Sequence, residues 1–444
     1  MVKNTEYYTI NAEDTMNSFP FKSNEVTIGQ KREHPDKELA RKSAAPKLFI
    51  TEEMKKYVRN YQFPLMSKLS DKYKKIEKIG EGTFGLVFKG KCLKTNKDVA
   101  LKKIIVDPTK DDGFPITALR EIKYLQMVKN ENVTELLEVV SEDDKDTDGK
   151  YKLCSSFYLV LAFCDHDLCA IIAHNKTIKL TIPEIKKMSK DLFNGLYAIH
   201  GSKLLHRDLK SANILLSSEK GGTLKIADFG LSRLHTVSKN EKQLYTNRVV
   251  TLWYRAPELL LGERQYDGAI DMWSAGCILS EFFIDDRALF TGNVETEVIE
   301  KIVRECGSIN PESMPNCQSL DNYKKFNLPQ GVKRRIQNTL GQKVKDQNIM
   351  SVIDNLLTLD PKKRMTADKA LDHDMFFHYP MPAEDLRELF GRIKGKHFYE
   401  FTTGSGAHIK NMKNNFKNAP QQGPKGKSQL ASGRKGDAFI DHVF

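Results

Sequence analysis

Apolar residues are scattered thinly over the first 70 positions, among Lys, Glu, Asn and Ser, and cannot bury enough surface to offset the entropy of ordering. This stretch reads as a mostly disordered extension. Within it, Met54, Tyr57, Val58 and Tyr61 fall on one helical face, with Glu52 and Glu53 early and Arg59 late. A helix that docks on a neighbour and a transient solvated helix both fit that pattern. Apolar density rises at Tyr73. Ile76 and Ile79 lead into Gly80-Glu81-Gly82-Thr83-Phe84-Gly85-Leu86-Val87, Val87-Phe88-Lys89 continues as strand, and Asp98 to Ile104 forms another strand after a Lys-Thr-Asn-Lys turn. A helix follows from Pro115, the proline near its first turn, with apolar residues through Val128. Phe157 to Leu161 reads as a buried strand ending in the connector Ala162-Phe163-Cys164. Farther on, Ile185, Met188, Leu192, Leu196 and Ile199 mark the inward face of a helix ending at His200. Leu386, Leu389, Phe390 and Ile393 mark a last helix, and from His397 the composition turns to Lys, Asn, Gln and Gly.

Length and charge add little to this picture. A chain of 444 residues exceeds one ordinary core, so two lobes or domains with tails are expected. The net charge of +12 suits nucleotide phosphate, nucleic acid or an acidic protein surface, and equally a basic pI that only aids solubility. Seven cysteines without a C-x-x-C pair, mostly in apolar runs, read as reduced thiols of a cytosolic or nuclear protein. No apolar run approaches a membrane span and no secretory signal opens the chain, so a soluble intracellular protein is expected. The acidic run after Glu142 reads as a solvated insertion.

Candidate chemistry concentrates in His206-Arg207-Asp208-Leu209-Lys210-Ser211-Ala212-Asn213. Asp208 suits proton acceptance from an attacking hydroxyl, Lys210 neutralisation of a phosphoryl group in flight, and Asn213 the holding of magnesium; Arg207 adds a fixed charge. A polar loop between Leu205 and Ile214 is the plain alternative. The glycine hairpin can close its backbone amides over phosphates, because side chains at Gly80, Gly82 and Gly85 would block the approach, or it is a turn without a ligand. Lys102, inside an apolar strand, needs an anion: nucleotide α/β-phosphates, the carboxylate of Glu121 on the next helix, or both. A snorkelling lysine at a sheet edge is its other reading. Adenine would sit against the backbone of the 162–164 connector. Asp167 suits either a ribose hydroxyl or a helix N-cap. Asp228-Phe229-Gly230, after the apolar run Leu224 to Ala227, supplies a second magnesium ligand in Asp228.

In that order these motifs resemble the eukaryotic protein kinases over about residues 73–378. Lys210 places the resemblance in the serine/threonine branch, and Leu252-Trp253-Tyr254-Arg255-Ala256-Pro257-Glu258 among the proline-directed kinases. Phe114-Pro115-Ile116-Thr117-Ala118-Leu119-Arg120-Glu121, Tyr245 to Thr251 and Glu258 to Arg264 narrow it to the transcription-elongation cyclin-dependent kinases. The resemblance implies an α+β, bilobal fold: an antiparallel sheet with one helix (residues 71–162) above a mainly helical lobe (163–378), ATP between them, and a basic, mostly disordered tail over 379–444. It implies a nucleotide site of Ile79, Gly80, Glu81, Gly82, Thr83, Phe84, Gly85, Leu86, Val87, Ala100, Lys102, Glu121, Leu161, Phe163, Cys164 and Asp167. Asp208, Lys210 and Thr251 would be catalytic, Asn213 and Asp228 would hold Mg2+, and Glu258 would pair with Arg364. Asp271 would hold the catalytic loop's backbone from below.

The resemblance further implies a cyclin partner, T-type by expectation, and Ser-Pro or Thr-Pro substrates such as the RNA polymerase II C-terminal domain and elongation factors, in the nucleus. Val250, in an unusual backbone turn held by Arg255, would leave no acceptor for an amide after the phosphoacceptor, which favours proline there. Arg120, Arg207 and Arg233 would converge once the lobes close, and phosphorylated Thr246 would relieve their repulsion. Phe84 departs from the inhibitory tyrosine of cell-cycle relatives; Leu161 and Ala162 replace a phenylalanine and an aspartate of the ATP pocket. Three rivals stand against this reading. An inactive scaffold conflicts with the presence of Lys102, Glu121, Asp208, Asn213 and Asp228. A nucleic-acid binder would need aromatic platforms among basic residues, and none stands outside the lobes, so direct nucleic-acid binding is not expected. A cyclin-independent mitogen-activated kinase carries Thr-x-Tyr, whereas here the order is Tyr245-Thr246.

Overall fold

The computed structural model describes residues 66–82, 85–105, 114–142, 156–235, 244–246, 249–285 and 288–400. The apolar face expected at Met54 to Tyr61, Thr83 and Phe84, and most of the acidic run lie outside these residues.

Five antiparallel strands form the upper lobe, in the spatial order β1 (Tyr73–Gly82), β2 (Gly85–Cys92), β3 (Asp98–Ile104), β5 (Ser156–Ala162) and β4 (Leu136–Glu142). Strand alternation divides their residues between two faces. Val99 and Leu101 of β3 turn to one side, where they pack with Tyr73, Val140, Tyr158 and Val160 in a small core. Ala100 and Lys102 turn to the other. The chain runs into this sheet along its β4 edge: the Ser141 amide donates to the Ser67 carbonyl at 3.0 Å, and Leu69 joins the small core. Ordered structure therefore begins before Tyr73. The main helix of this lobe, α1 (Ile116–Met127), starts after Pro115 and buries Ala118, Glu121, Tyr124 and Leu125.

Below the strand pair's connector, α2 (Leu168–Ala173) opens the helical lobe. The long α3 (Ile182–Gly201) begins three residues earlier than its apolar face alone suggests, because Thr181 and Glu184 close a capping box over Pro183. At the lobe's centre lies α4 (Ala269–Glu281), buried at every position from Ile270 to Glu281. Its Trp273 stacks on Phe290 at 5.6 Å, and the Arg364 guanidinium lies 5.1 Å from the indole centroid.

Arg364 meets Glu258 in a bidentate pair at 2.7 and 2.9 Å, and both side chains are buried. Its remaining donors reach the carbonyls of Ala269, Thr358 and Leu359. A buried charge with every donor used is stable; one stripped of its partner is not. Glu258→Ala should therefore destabilise the lobe by about 3–5 kcal/mol, read from the denaturation midpoint. A change below about 1 kcal/mol would show the pair to be energetically idle.

Candidate active site

The Lys102 ammonium sits 2.7 and 2.9 Å from the two Glu121 oxygens and 3.0 Å from Asp228 Oδ1. Burial works against its charge, but the two carboxylates outweigh burial and hold the ammonium's pKa above its ordinary range. Burial likewise pulls the Asp228 carboxyl upward, and Lys102 reverses the sign, leaving it below the usual carboxylate range. Strand β3, helix α1 and the turn after β6 (Thr223–Ile226) thus meet at one cation.

Register places the neighbouring residues. Opposite residues of an antiparallel pair share a face, so Gly80, Val87 and Lys102 line the same side of the sheet as Ala100 and Leu161. Glu81 and Leu86 pair with each other on the opposite face, where Glu81 takes Lys78 at 2.7 Å. Only their backbone can serve a ligand below the sheet. Ile79 lies half-buried in a β-bulge. Gly85 adopts φ +150°, and a Cβ there would run into the Lys103 carbonyl oxygen.

Asp208 is gripped from three sides. Lys210 Nζ donates to Oδ2 at 3.0 Å, Thr251 Oγ1 to Oδ1 at 3.0 Å, and Asn213 Nδ2 to Oδ2 at 3.0 Å and to the Asp208 carbonyl at 2.7 Å. With its amide nitrogen committed, Asn213 presents its oxygen, the atom a hard cation takes. Among the described residues no group of three or more His, Cys, Asp or Glu could hold a metal alone. The anionic Asp228 and the Asn213 amide oxygen fit a hard cation such as magnesium.

The loop bearing Asp208 hangs from α4. Asp271 accepts the His206 and Arg207 amides, each at 2.9 Å, and meets His200 Nε2 at 3.0 Å. Against burial, these bonds keep the Asp271 carboxyl below its ordinary pKa. The His206 ring accepts the Asp208 amide at Nδ1 and faces the Ala227 carbonyl with Nε2, which assigns the ring proton to Nε2.

Val250 holds φ +66°, an outlier for a β-branched residue. Arg255 accounts for it, donating to the Val249 carbonyl at 2.9 Å, the Val250 carbonyl at 3.1 Å and Glu295 at 2.7 Å. Thr246 is exposed, and its carbonyl accepts the Tyr266 hydroxyl at 2.7 Å. Arg207 donates to that hydroxyl at 3.1 Å, and Arg233 adds its charge nearby. Arg120 lies half-buried on α1, one residue before Glu121.

Two features escape the sequence reading. Tyr266 connects Arg207 to Thr246 from 20 residues downstream of that threonine. The segment after His397 does not leave the fold: the Tyr399 hydroxyl donates to the Cys164 carbonyl at 2.9 Å, and the Glu400 amide to Asp167 Oδ2 at 2.6 Å. Asp167 Oδ1 accepts the Ala170 amide at 2.7 Å, so its carboxylate caps α2 and holds the C-terminal segment with both oxygens. Burial pushes that carboxyl up to about 7, against the backbone bonds of Ala170 and Glu400. Phe163, half-buried, has the Lys89 ammonium 4.7 Å from its ring centroid. The signal was the Phe398-Tyr399 pair, the only adjacent aromatics between Phe377 and the terminus.

Residues 73–376 match the family model described as the protein kinase domain. The chain belongs to the protein kinases. Within the family it is similar to cyclin-dependent kinase 9-B of Xenopus laevis, 48% identical over 337 residues, covering 75% of this chain and 88% of that one. Human cyclin-dependent kinase 9 is 46% identical over 333 residues, 74% and 87% of the two chains. Among solved structures it resembles the yeast RNA Pol II CTD kinase CTDK-1 complex, with TM-score 0.60 and 34% identity over 70% of this chain and 94% of that one. It also resembles the CAK complex from Chaetomium thermophilum bound to ATP-γ-S, with TM-score 0.60 and 28% identity over 75% and 97%. The protein is therefore a cyclin-dependent serine/threonine kinase with the bilobal kinase fold. No helix among the described residues is long and apolar enough to cross a membrane.

The ion cluster makes a kinase-specific prediction. Lys102→Met leaves buried Glu121 and half-buried Asp228 without their cation, costing about 3–5 kcal/mol at neutral pH. Both carboxyls would then titrate above their unfolded values, so the native state binds more protons and the loss shrinks as pH falls towards about 5. Urea titrations of the variant and wild type at the two pH values check this. A pH-independent difference would contradict it.

Proposed function

We propose that this kinase transfers the ATP γ-phosphate to serine or threonine followed by proline. Its substrates are the RNA polymerase II C-terminal domain and elongation factors, its partner a T-type cyclin, its compartment the nucleus, and its output transcription elongation. The observation that carries the substrate class is Val250. Arg255 occupies the Val249 and Val250 carbonyls, so an amide following the phosphoacceptor finds no acceptor there, and proline, which has no amide, loses nothing. The name of the yeast RNA Pol II CTD kinase supports the substrate, and the names of the cyclin-dependent kinase 9 relatives support the cyclin partner. On α1, exposed Ile116, Leu119 and Met127 offer an apolar face to a cyclin.

In this reading Asp208 accepts the hydroxyl proton, held in place by Thr251 and Asn213, while Lys210 balances charge on the transferred group. Lys102 meets the nucleotide's α/β-phosphates beneath Gly80 to Val87, with Ala100, Leu161 and the 163–164 backbone around the base. Asn213 and Asp228 would hold a magnesium ion, which when bound would neutralise phosphate charge. Phosphorylated Thr246 would place a charge of about −1.5 to −2 beside Arg207 and Arg233, with Arg120 joining from α1.

Two measurements test the proposal. The full chain with its copurified partner should phosphorylate Ser-Pro repeat peptides at least about tenfold faster than Ser-Ala repeats, given one unsatisfied buried amide; Asp208→Asn should lose the activity by orders of magnitude and still bind ATP. Equal rates on both peptides would rule out the proline reading. Thr246→Ala should lower the rate strongly, most where cyclin is limiting, and phosphate mapping of the active enzyme should find Thr246 modified. An unmodified, fully active enzyme would remove Thr246 from the account.

A further inference from the structure

Thr246 is tied to the catalytic loop by a residue that takes no part in the chemistry above. Tyr266, three positions before α4, is buried, and its hydroxyl makes two bonds: it donates to the Thr246 carbonyl at 2.7 Å and accepts Arg207 Nη1 at 3.1 Å. A phenol has one proton to give and lone pairs to receive, so both bonds hold at once. The same ring lies against that of Tyr245, with centroids 5.0 Å apart. Tyr245 is in turn fixed through backbone and side chain, its amide donating to the Arg264 carbonyl at 2.8 Å and its hydroxyl to the Leu234 carbonyl at 3.1 Å.

The tie to Thr246 runs through its main chain, and the residue is exposed. What the threonine hydroxyl carries is therefore not part of the tie. At the other end, Arg207 precedes Asp208 and sends Nε to the Leu231 carbonyl at 2.9 Å. Thr251, five residues after Thr246, donates to Asp208 Oδ1 at 3.0 Å. The path from Asp208 through Thr251, back along the chain to Thr246 and through Tyr266 to Arg207 is a closed circuit. Opening it at Tyr266 deprives the Arg207 turn and the Thr251 hydroxyl, both of which set Asp208, of a common anchor.

We propose that Tyr266 is a positioning residue: its hydroxyl ties the activation segment to Arg207 by a route parallel to the one a phosphate on Thr246 would take, and it sustains the activity that remains when Thr246 is unphosphorylated. The inference rests on the reading of Asp208 as the base and Thr246 as the switch. Two ties in parallel to one guanidinium substitute for each other, so losing either is partly covered and losing both is not, which makes their effects non-additive. A residue that only packs gives a different pattern. Phenylalanine at position 266 keeps the ring against Tyr245 and removes a single oxygen, so a packing role predicts one small cost whatever the state of Thr246.

The test is a double-mutant cycle on the full chain with its copurified cyclin, read as kcat on a Ser-Pro repeat peptide, with phosphate at Thr246 mapped on each sample. Tyr266→Phe should lower kcat roughly tenfold in the Thr246→Ala background, and by a factor at least about fivefold smaller in the chain phosphorylated at Thr246, with the KM for ATP unmoved. Phosphatase treatment of wild type and Tyr266→Phe should reproduce the larger factor with Thr246 itself intact, and it decides the matter should the double variant not fold. Equal factors with and without the phosphate would overturn the proposal, as would an unphosphorylated chain that keeps Tyr266 and has no measurable rate. A wild type whose rate ignores the phosphate would overturn the reading of Thr246 and this inference with it; equal Tyr266→Phe factors in an enzyme that needs the phosphate sink only this inference.

Discussion

The loop that carries Asp208 depends on the Asp271 carboxylate, which accepts two of its consecutive amides from the helix below. Arg207 stands at φ +67°, a left-handed conformation that a residue with a side chain adopts at a cost of roughly 1–2 kcal/mol. Such a conformation persists only when its surroundings over-determine it. Here the amide goes to Asp271, the guanidinium to the Leu231 carbonyl and Tyr266, and the side chain is buried. The turn that results is what points Asp208 at Lys210 and Thr251. Because α4 is enclosed on all sides and clamped through Trp273 and Arg364, the acceptor cannot drift, and the loop inherits the rigidity of the core.

A second constraint connects the lobes. Lys102 is too buried to keep its charge without anions, and its two partners come from different parts of the fold, Glu121 from α1 and Asp228 from below the cleft. Any movement of α1 that withdraws Glu121 changes the electrostatics felt by Asp228. The ammonium therefore couples the outer face of α1, where Ile116 and Leu119 are exposed, to the residues suited to metal and phosphate. Charge carries that coupling, with no need for a chain of contacts.

The C-terminal segment shows polar groups of the connector already engaged by the chain itself. Tyr399 and Glu400 take the Cys164 carbonyl and the Asp167 carboxylate, while Phe390 and Phe398 pack on His166 with ring centroids 5.6 Å apart in each case. Burial there lowers the His166 imidazole to about 4, so the ring is neutral and serves as an aromatic surface with a hydrogen-bonding edge. The fold thus closes beyond its last helix, at Tyr399 and Glu400.

What the chain's order of residues determined by itself was local and chemical. Period-two alternation marked β3, the proline and its apolar spacing marked α1, and the charged motifs named Lys102, Glu121, Asp208, Asn213 and Asp228, because a charge inside an apolar run demands a partner wherever it folds. Only the tertiary structure decided who the partners are. Helix α4 has apolar or enclosed residues on every side, so no amphipathic period announces it; Asp271 finds its partners in the His206 and Arg207 amides and in His200, all more than 60 residues before it. Asp167 was open between ribose ligand and helix cap until the Ala170 and Glu400 amides were brought to it. Those assignments depend on residues far apart in the chain, and their sign is set by burial and by the charges that packing places beside them, neither of which spacing along a sequence encodes.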